Sequence, residues 1–201
     1  MYFDVHPPTG KLLLTLFGYF VGYDGKFQFS PPGVDFGTTK YSGIRKICAY
    51  LGAASICFIY LYVYQITNCE DTALISALFL CFDHANLIIS RYILLDSLLL
   101  FFTSFSLYFF SISFTNTPAK NINLSLTGIS LGILLGIKFS GIFTFIYLGL
   151  NTLYSFCTYF ADTSINLTKI LYQIIKRFAF LILVPGLVYA TAFYIHINIL
   201  S

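Results

Sequence analysis

The sequence predicts an all-α protein, a polytopic membrane helical bundle of about six transmembrane helices preceded by an N-terminal loop. The first observation is composition, because 58% of the 201 residues are hydrophobic and only 9% are charged. Soluble domains carry about 25% charged residues, so the composition excludes a soluble enzyme, a nucleic-acid-binding protein and a disordered chain. The second observation is the length of the apolar runs, which approach the ~20 residues of a spanning helix. Strands of a membrane barrel would instead alternate polar and apolar residues over about 10 positions.

The predicted spans follow one another with polar or helix-breaking clusters between them. The longest cluster runs from Asp162 to Arg177 and is predicted to separate the last two spans. The six stretches that qualify as spans are Ile47–Ile66, Thr72–Ser90, Ile93–Phe114, Ile122–Ile137, Ile142–Phe160 and Phe178–Ile199.

Residues 1–46 differ from the bundle, residues 47–201, because Gly, Pro, Asp, Lys and Tyr dominate them. They contain one short apolar run, Leu12–Val21, which is too short to cross a membrane. This run predicts an interfacial or re-entrant helix that starts near Pro7-Pro8. The sequence therefore predicts a structured loop on one face of the membrane.

The densest polar segment is Phe3-Asp4-Val5-His6-Pro7-Pro8-Thr9-Gly10-Lys11. Asp4 and His6 are separated by one residue, a spacing that suits an acid–base pair or a ligand pair in an extended segment. Lys11 follows at the start of the short helix. The alternative interpretation is a solvated loop that leads into an ordinary helix.

A second polar cluster lies between the second and third predicted spans and contains Asp83, His84, Arg91 and Asp96. Ionisable groups at membrane depth cost on the order of a few kcal/mol each and often mark a site. Arg91 and Asp96 are about 140° apart around a helix, so each needs another partner, such as a substrate anion or another loop. Alternatively, Arg91 extends to the membrane interface and Asp96 caps a helix.

Three further cations have two interpretations each. Arg45 and Lys46 lie at the entry to the first span, where most cations are membrane anchors, but an Arg facing a site could bind a phosphate. Lys138 interrupts a long apolar run and is expected to mark a turn, with an anionic site as the alternative.

The five cysteines show no metal-ligand spacing, so no metal site is expected.

The chain resembles the N-terminal half of the protein O-mannosyltransferases, in four signatures that occur in the same order. The family has a DVHPPLGK-type loop, an Arg entering the next helix, an SRYILLD-type turn and a GxxxGxxxxxKWxG-type stretch. The resemblance covers nearly the whole chain. One departure lies in the fourth signature, where Phe139 stands in place of the family's Trp. The corresponding segments here are FDVHPPTGKLL followed by GYDGKFQF, then Arg45, then ISRYILLDS, then LTGISLGILLGIKFSG.

The resemblance implies a multispanning fold of the glycosyltransferase C type in the endoplasmic reticulum membrane. It implies transfer of mannose from dolichyl-phosphate-mannose to Ser or Thr hydroxyls of secretory proteins, with this lipid-linked donor as substrate and no cofactor. By resemblance, the donor-phosphate contacts are Arg45, Lys11 and Arg91, and the supporting turn residues are Tyr92 and Asp96. The catalytic candidates are Asp4 and His6, from their spacing in the polar segment.

The resemblance also bears on topology. It places the loop of residues 1–46 in the lumen, whereas the count of flanking cations would place it in the cytoplasm. Two glycosylation sequons, Asn123-Leu124-Ser125 and Asn166-Leu167-Thr168, would then be cytosolic and are expected to stay unmodified.

In the family, a catalytic Asp-Glu pair precedes the HPP motif, so this chain is expected to be inactive on its own. Two other functions stay open. The chain could be a non-catalytic membrane subunit that pairs with a complete transferase, in keeping with the expected homo- or heterodimer. Less favoured is a transporter in which Asp83, Arg91 and Asp96 line a polar path, since the sequence shows no inverted halves.

Overall fold

The computed structural model describes residues 5–27, 33–115 and 118–200, and these residues form nine α-helices. A 3₁₀ turn, Phe139–Gly141, precedes α7, and a π-helical segment, Ala179–Leu183, joins α8 to α9. The helices are α1 (Thr9–Val21), α2 (Tyr41–Thr67), α3 (Glu70–Phe82), α4 (His84–Ile89), α5 (Leu95–Ile112), α6 (Lys120–Ile137), α7 (Ile142–Ala161), α8 (Leu167–Phe178) and α9 (Val184–Leu200).

Five helical stretches in the described part of the chain are long and apolar enough to cross a membrane. Four of the expected spans correspond to α2, α5, α6 and α7, and the all-α membrane bundle is confirmed. The chain runs back and forth between two ends, so that α2 and α5 lie parallel while α5 and α6 lie antiparallel.

The second expected span, Thr72–Ser90, is not one helix but is divided at Asp83 into α3 and α4. Asp83 has an extended backbone, and its carboxylate accepts a hydrogen bond of 2.8 Å from the Asn86 N–H. The Asn86 side chain in turn donates to the Leu80 carbonyl at the end of α3. These two bonds satisfy groups that a helix break leaves unpaired, and α3 and α4 together carry the chain from one end to the other.

The last expected span, Phe178–Ile199, is part of a longer helix. The cluster from Asp162 to Arg177 does not separate two spans throughout, because α8 runs from Leu167 directly into the π-helical segment and α9. The π-helical segment ends just before Pro185, which has no N–H to continue a regular α-helical ladder.

Helix α1 begins at Thr9, directly after Pro8, as the sequence predicts. It ends at Gly22, whose φ of 71° is left-handed and whose N–H bonds back to the carbonyls of Gly18 and Tyr19. Whether this helix lies at the membrane interface stays a prediction. After the following loop, α2 begins at Tyr41, so Arg45 and Lys46 lie within its first turns.

Helix α6 is the central helix of the bundle. Its spanning window is 56% buried, whereas the windows of the other four stretches are 17% to 28% buried. Three glycines spaced four residues apart form one stripe along it, Gly128, Gly132 and Gly136. A Cβ at Gly128 would meet the Phe180 carbonyl oxygen, and one at Gly132 would lie 2.7 Å from the Pro185 carbonyl oxygen. The glycine stripe therefore lets the π-helical segment and α9 approach the α6 backbone.

We expect Gly128→Ala to lower the free energy of unfolding by about 1–3 kcal/mol, because the added methyl group meets a backbone carbonyl that cannot rotate away. Gly186→Ala is the matched control, since a Cβ there has nothing within 4 Å. Thermal unfolding of both variants in detergent micelles measures the difference. Equal midpoints for the two variants would contradict the close packing of α6 against the π-helical segment.

Candidate functional site

Most of the sequence-predicted site residues lie at one end of the bundle. At this end α1, α2 and α5 begin and α6 terminates, which brings four separate parts of the sequence together. We call it the HPP end, and define it by Pro7-Pro8, Arg45, the turn Arg91–Asp96 and Lys138. The other end, where α5 and α7 terminate and α6 and α8 begin, is the opposite end.

The start of α1 is fixed against the ends of two spanning helices. Residues 7–10 are buried. A Cβ at Gly136 would meet the Thr9 side chain, and one at Gly10 would lie 2.7 Å from Leu95 and 3.2 Å from Ile137. The absence of a side chain at Gly136, the third glycine of the α6 stripe, therefore leaves room for Thr9 at the start of α1. The contact between Thr9 and Gly136 holds the neighbouring, half-buried His6 and Lys11 at the HPP end.

An ion pair joins α5 to α6 beside this contact. The Lys138 Nζ donates to Asp96 Oδ1 at 2.8 Å. Asp96 lies in the first turn of α5, and Lys138 has an extended backbone directly after the last turn of α6. The two side chains are 35% and 32% exposed, so solvent screens the pair in part. The carboxylate of Asp96 therefore has a protein partner, and Lys138 marks the turn that the sequence predicts.

Arg45 is positioned by the turn between α4 and α5. Its Nε donates to the Arg91 carbonyl oxygen, and its Cζ lies 5.7 Å from the centroid of the Tyr92 ring. Guanidinium groups stack on aromatic rings in this range, which limits the rotamers that Arg45 can adopt. One N–H of Arg45 is thereby used, and within the described residues no hydrogen bond is seen to its two Nη groups, which lie at an exposed position.

A cavity of about 510 Å³ opens at the HPP end, and its lining includes the residues next to Arg45 and Tyr92 in the sequence. It lies between α1, the loop that follows α1, the first turn of α2 and the start of the Arg91–Asp96 turn. Its lining is largely apolar and includes Ile44 and Ile93, with polar groups from Tyr23, Asp24 and Tyr41. A ligand with an apolar part and a few hydroxyl groups fits such a lining.

The structure brings Arg45, Arg91, Tyr92 and Asp96 together in one turn and its immediate neighbours. Their chemical roles stay predictions, as do those of His6 and Lys11 at the start of α1. Asp4 lies outside the described residues. Within residues 5–27, 33–115 and 118–200, no three His, Cys, Asp or Glu side chains cluster as metal ligands would.

Sequence reasoning missed two features of the site. The partner of Asp96 is Lys138, which is distant in sequence and was expected to mark a turn, with an anionic site as the alternative, but not to pair with Asp96. The cavity residues Tyr23 and Asp24 were quoted only as part of the GYDGKFQF signature, which was the one available signal for them.

The arrangement is suited to an anion held beside an apolar surface. Arg45 and Arg91 supply positive charge on neighbouring exposed positions, and Asp96 is neutralised by Lys138. Arg donors in a fixed orientation recognise phosphate oxygens, whereas mobile surface cations bind them weakly.

The model of the family "Dolichyl-phosphate-mannose-protein mannosyltransferase" matches residues 1–201. Protein O-mannosyl-transferase 2 of Drosophila pseudoobscura pseudoobscura is 38% identical over 207 residues, a match that covers 100% of this chain and 28% of the relative. Dolichyl-phosphate-mannose–protein mannosyltransferase 1 of Saccharomyces cerevisiae is 33% identical over 205 residues, with 100% of this chain and 25% of the relative covered. The chain thus spans about a quarter of the length of these relatives.

The fold is also similar to a solved structure, that of the S. cerevisiae protein O-mannosyltransferase Pmt1-Pmt2 complex bound to the sugar donor. The TM-score is 0.93 at 32% sequence identity, and the match covers 98% of this chain and 28% of that chain.

We expect Asp96 and Lys138 to show a coupling free energy of about 1 kcal/mol in a double-mutant cycle with Asp96→Asn and Lys138→Met. The control is Asp35→Asn, which changes an exposed carboxylate that accepts only a local bond from the Gly37 N–H. Thermal unfolding in detergent measures the four proteins of the cycle and the control variant. Strict additivity of the two single changes would show that the pair contributes nothing to stability.

Proposed function

Since the chain belongs to the dolichyl-phosphate-mannose–protein mannosyltransferase family, we propose that its HPP end binds the phosphate of dolichyl-phosphate-mannose. The mannose of this donor would be transferred to Ser or Thr hydroxyls of secretory proteins. The proposal assigns to this chain the donor-binding part of a protein O-mannosyltransferase. Its support comes from the family match over residues 1–201 and from the geometry of Arg45.

The observation that carries the proposal is the fixed orientation of Arg45. Its bond to the Arg91 carbonyl uses Nε, and, as far as the described residues go, its Nη groups can meet a phosphate beside Tyr92. Negative charge grows on the phosphate as the bond to mannose breaks, and cations held in advance stabilise that charge. Lys11 and Arg91 are the supporting cations, and the apolar cavity lined by Ile44 and Ile93 suits the lipid-linked part of the donor.

Transfer also needs a base for the acceptor hydroxyl. Asp96 is not our candidate, because its Oδ1 is engaged by Lys138. We instead assign Asp96 and Lys138 to positioning: their ion pair ties the start of α5 to the end of α6, next to the turn that orients Arg45.

We further propose that the protein lies in the endoplasmic reticulum membrane with the HPP end in the lumen, and that it pairs with a second family member. The pairing is supported by the similarity to one chain of a solved complex that contains two such proteins. The luminal orientation requires that cations such as Arg45 and Arg91 serve phosphate binding and do not determine topology.

We expect Arg45→Ala to weaken binding of a photoreactive dolichyl phosphate about tenfold or more, the cost of losing a charge-assisted hydrogen bond. Lys46→Ala is the matched control, because it removes an exposed cation from the next position of α2. Labelling of the full protein in membranes, at a series of probe concentrations, gives both affinities. If the two variants lose affinity equally, Arg45 is a membrane anchor and the proposed donor contact is wrong.

The topology can be tested with one natural and one engineered sequon. Asn123 is only 8% exposed within α6 and is uninformative, whereas Asn166 is the exposed N-cap of α8 at the opposite end. Gly37→Asn would create a sequon with Thr38-Thr39 in the exposed loop, at a φ of 50° that Asn tolerates. We expect a glycosidase-sensitive mobility shift for Gly37→Asn and none from Asn166. The reverse pattern would place the HPP end in the cytosol.

A further inference from the structure

A second cavity lies along α7, away from the HPP end. It has a volume of about 300 Å³ and is bounded by α7 on one side and by α8 and the π-helical segment on the other. Its lining is apolar except for Thr152 and Arg177. We call it the α7 groove. Its shape and lining suit a hydrocarbon chain, and Arg177 is its one ionisable lining residue.

Arg177 is the most buried cation among the described residues, with an exposed fraction of 5%. Its Cζ lies 4.5 Å from the centroid of the Phe114 ring, 5.2 Å from that of Phe156 and 5.7 Å from that of Tyr159. Aromatic rings attract the charge, but Nη1 has no hydrogen-bond partner among the described residues. A buried guanidinium N–H without an acceptor is costly, so an acceptor at Nη1, such as a phosphate oxygen, would stabilise the site.

Other cations surround Arg177 at the opposite end. Lys176 is close enough to Lys120 and Arg177 for their charges to repel one another. Lys120 also lines a cavity of about 140 Å³ together with Lys169 and Tyr159. Asp162 offsets the charge of Lys169. A phosphate group would offset the charges of Lys176 and Arg177.

The depth of Arg177 agrees with a lipid headgroup. The helical stretch Phe178–Ile199 is about 33 Å long at 1.5 Å per residue, close to the ~30 Å hydrocarbon core of a bilayer. If that stretch spans the core, Arg177 lies at the boundary where phospholipid phosphates are found. The α7 groove then extends from this boundary into the hydrocarbon region.

We propose that the α7 groove binds an anionic phospholipid, with its phosphate on Arg177 and Lys176 and one acyl chain along α7. The proposal commits to a lipid because the cationic cluster and the apolar groove adjoin one another, as the two parts of a phospholipid do. It does not depend on the donor site, which lies at the other end of the bundle.

The first variant blocks the part of the groove that is proposed to hold the acyl chain and leaves the charged residues unchanged. A Cβ at Gly149 has nothing within 4 Å, and Gly149 lines the groove, so the side chain of Gly149→Leu would occupy space in the groove. Gly186→Leu is the matched control, because Gly186 also has open space but does not line the groove. Native mass spectrometry of the full protein, purified in detergent and given equimolar phosphatidylserine and phosphatidylcholine, counts the bound lipids.

The second variant tests the charge. We expect the wild-type protein and Gly186→Leu to retain phosphatidylserine in preference to phosphatidylcholine, and Gly149→Leu to lose bound lipid of both kinds. Arg177→Gln should reduce the preference for phosphatidylserine about fivefold. If Arg177→Gln does not fold, Gly149→Leu decides alone. Undiminished lipid binding by Gly149→Leu, or no preference for phosphatidylserine in the wild-type protein, would overturn the proposal and leave the groove to a protein segment.

Discussion

The structure depends on how closely other helices can approach the backbone of α6. Lipid tails are as apolar as leucine, so burial of apolar surface does not drive helices together within a membrane, and close packing has to do so. Gly128 and Gly132 admit the π-helical segment and α9, and Gly136 admits the first turn of α1. One stripe of small residues therefore organises the bundle and also fixes the HPP motif, which links packing directly to the site.

The polar groups of the chain fall into two kinds. Many Ser and Thr hydroxyls donate to a carbonyl one turn earlier in their own helix, as Ser104 and Thr127 do, and so present little polarity to neighbours. A smaller set reaches across the bundle, including Asp96 with Lys138 and Arg45 with the Arg91 carbonyl. Ser106 with Ser130 and Tyr62 with Tyr147 make contacts of the second kind without charge, whereas the two at the HPP end involve charged side chains.

Composition and run length were sufficient to predict the helical membrane bundle, and Pro8 was sufficient to predict where α1 starts. The break at Asp83 was not predictable from hydropathy, because a single carboxylate within an apolar run barely changes the average. It depends on Asn86, whose side chain satisfies the carbonyl of Leu80. Continuity of α8 with α9 was missed for the opposite reason: the charged residues suggested a boundary, although an amphipathic helix tolerates them on one face. The pairing of Asp96 with Lys138 required the three-dimensional arrangement of α5 and α6.

The break at Asp83 has a mechanical consequence. An unbroken span resists bending because each turn is bonded to the next along its whole length. At Asp83 the backbone is extended, and the hydrogen bond from the Asn86 side chain to the Leu80 carbonyl bridges the break. The Arg91 carbonyl that orients Arg45 lies on the α4 side of this break. The position of that carbonyl therefore depends on the bridging bond and on the packing of Ser90 against Gly52, and not on an unbroken helical ladder.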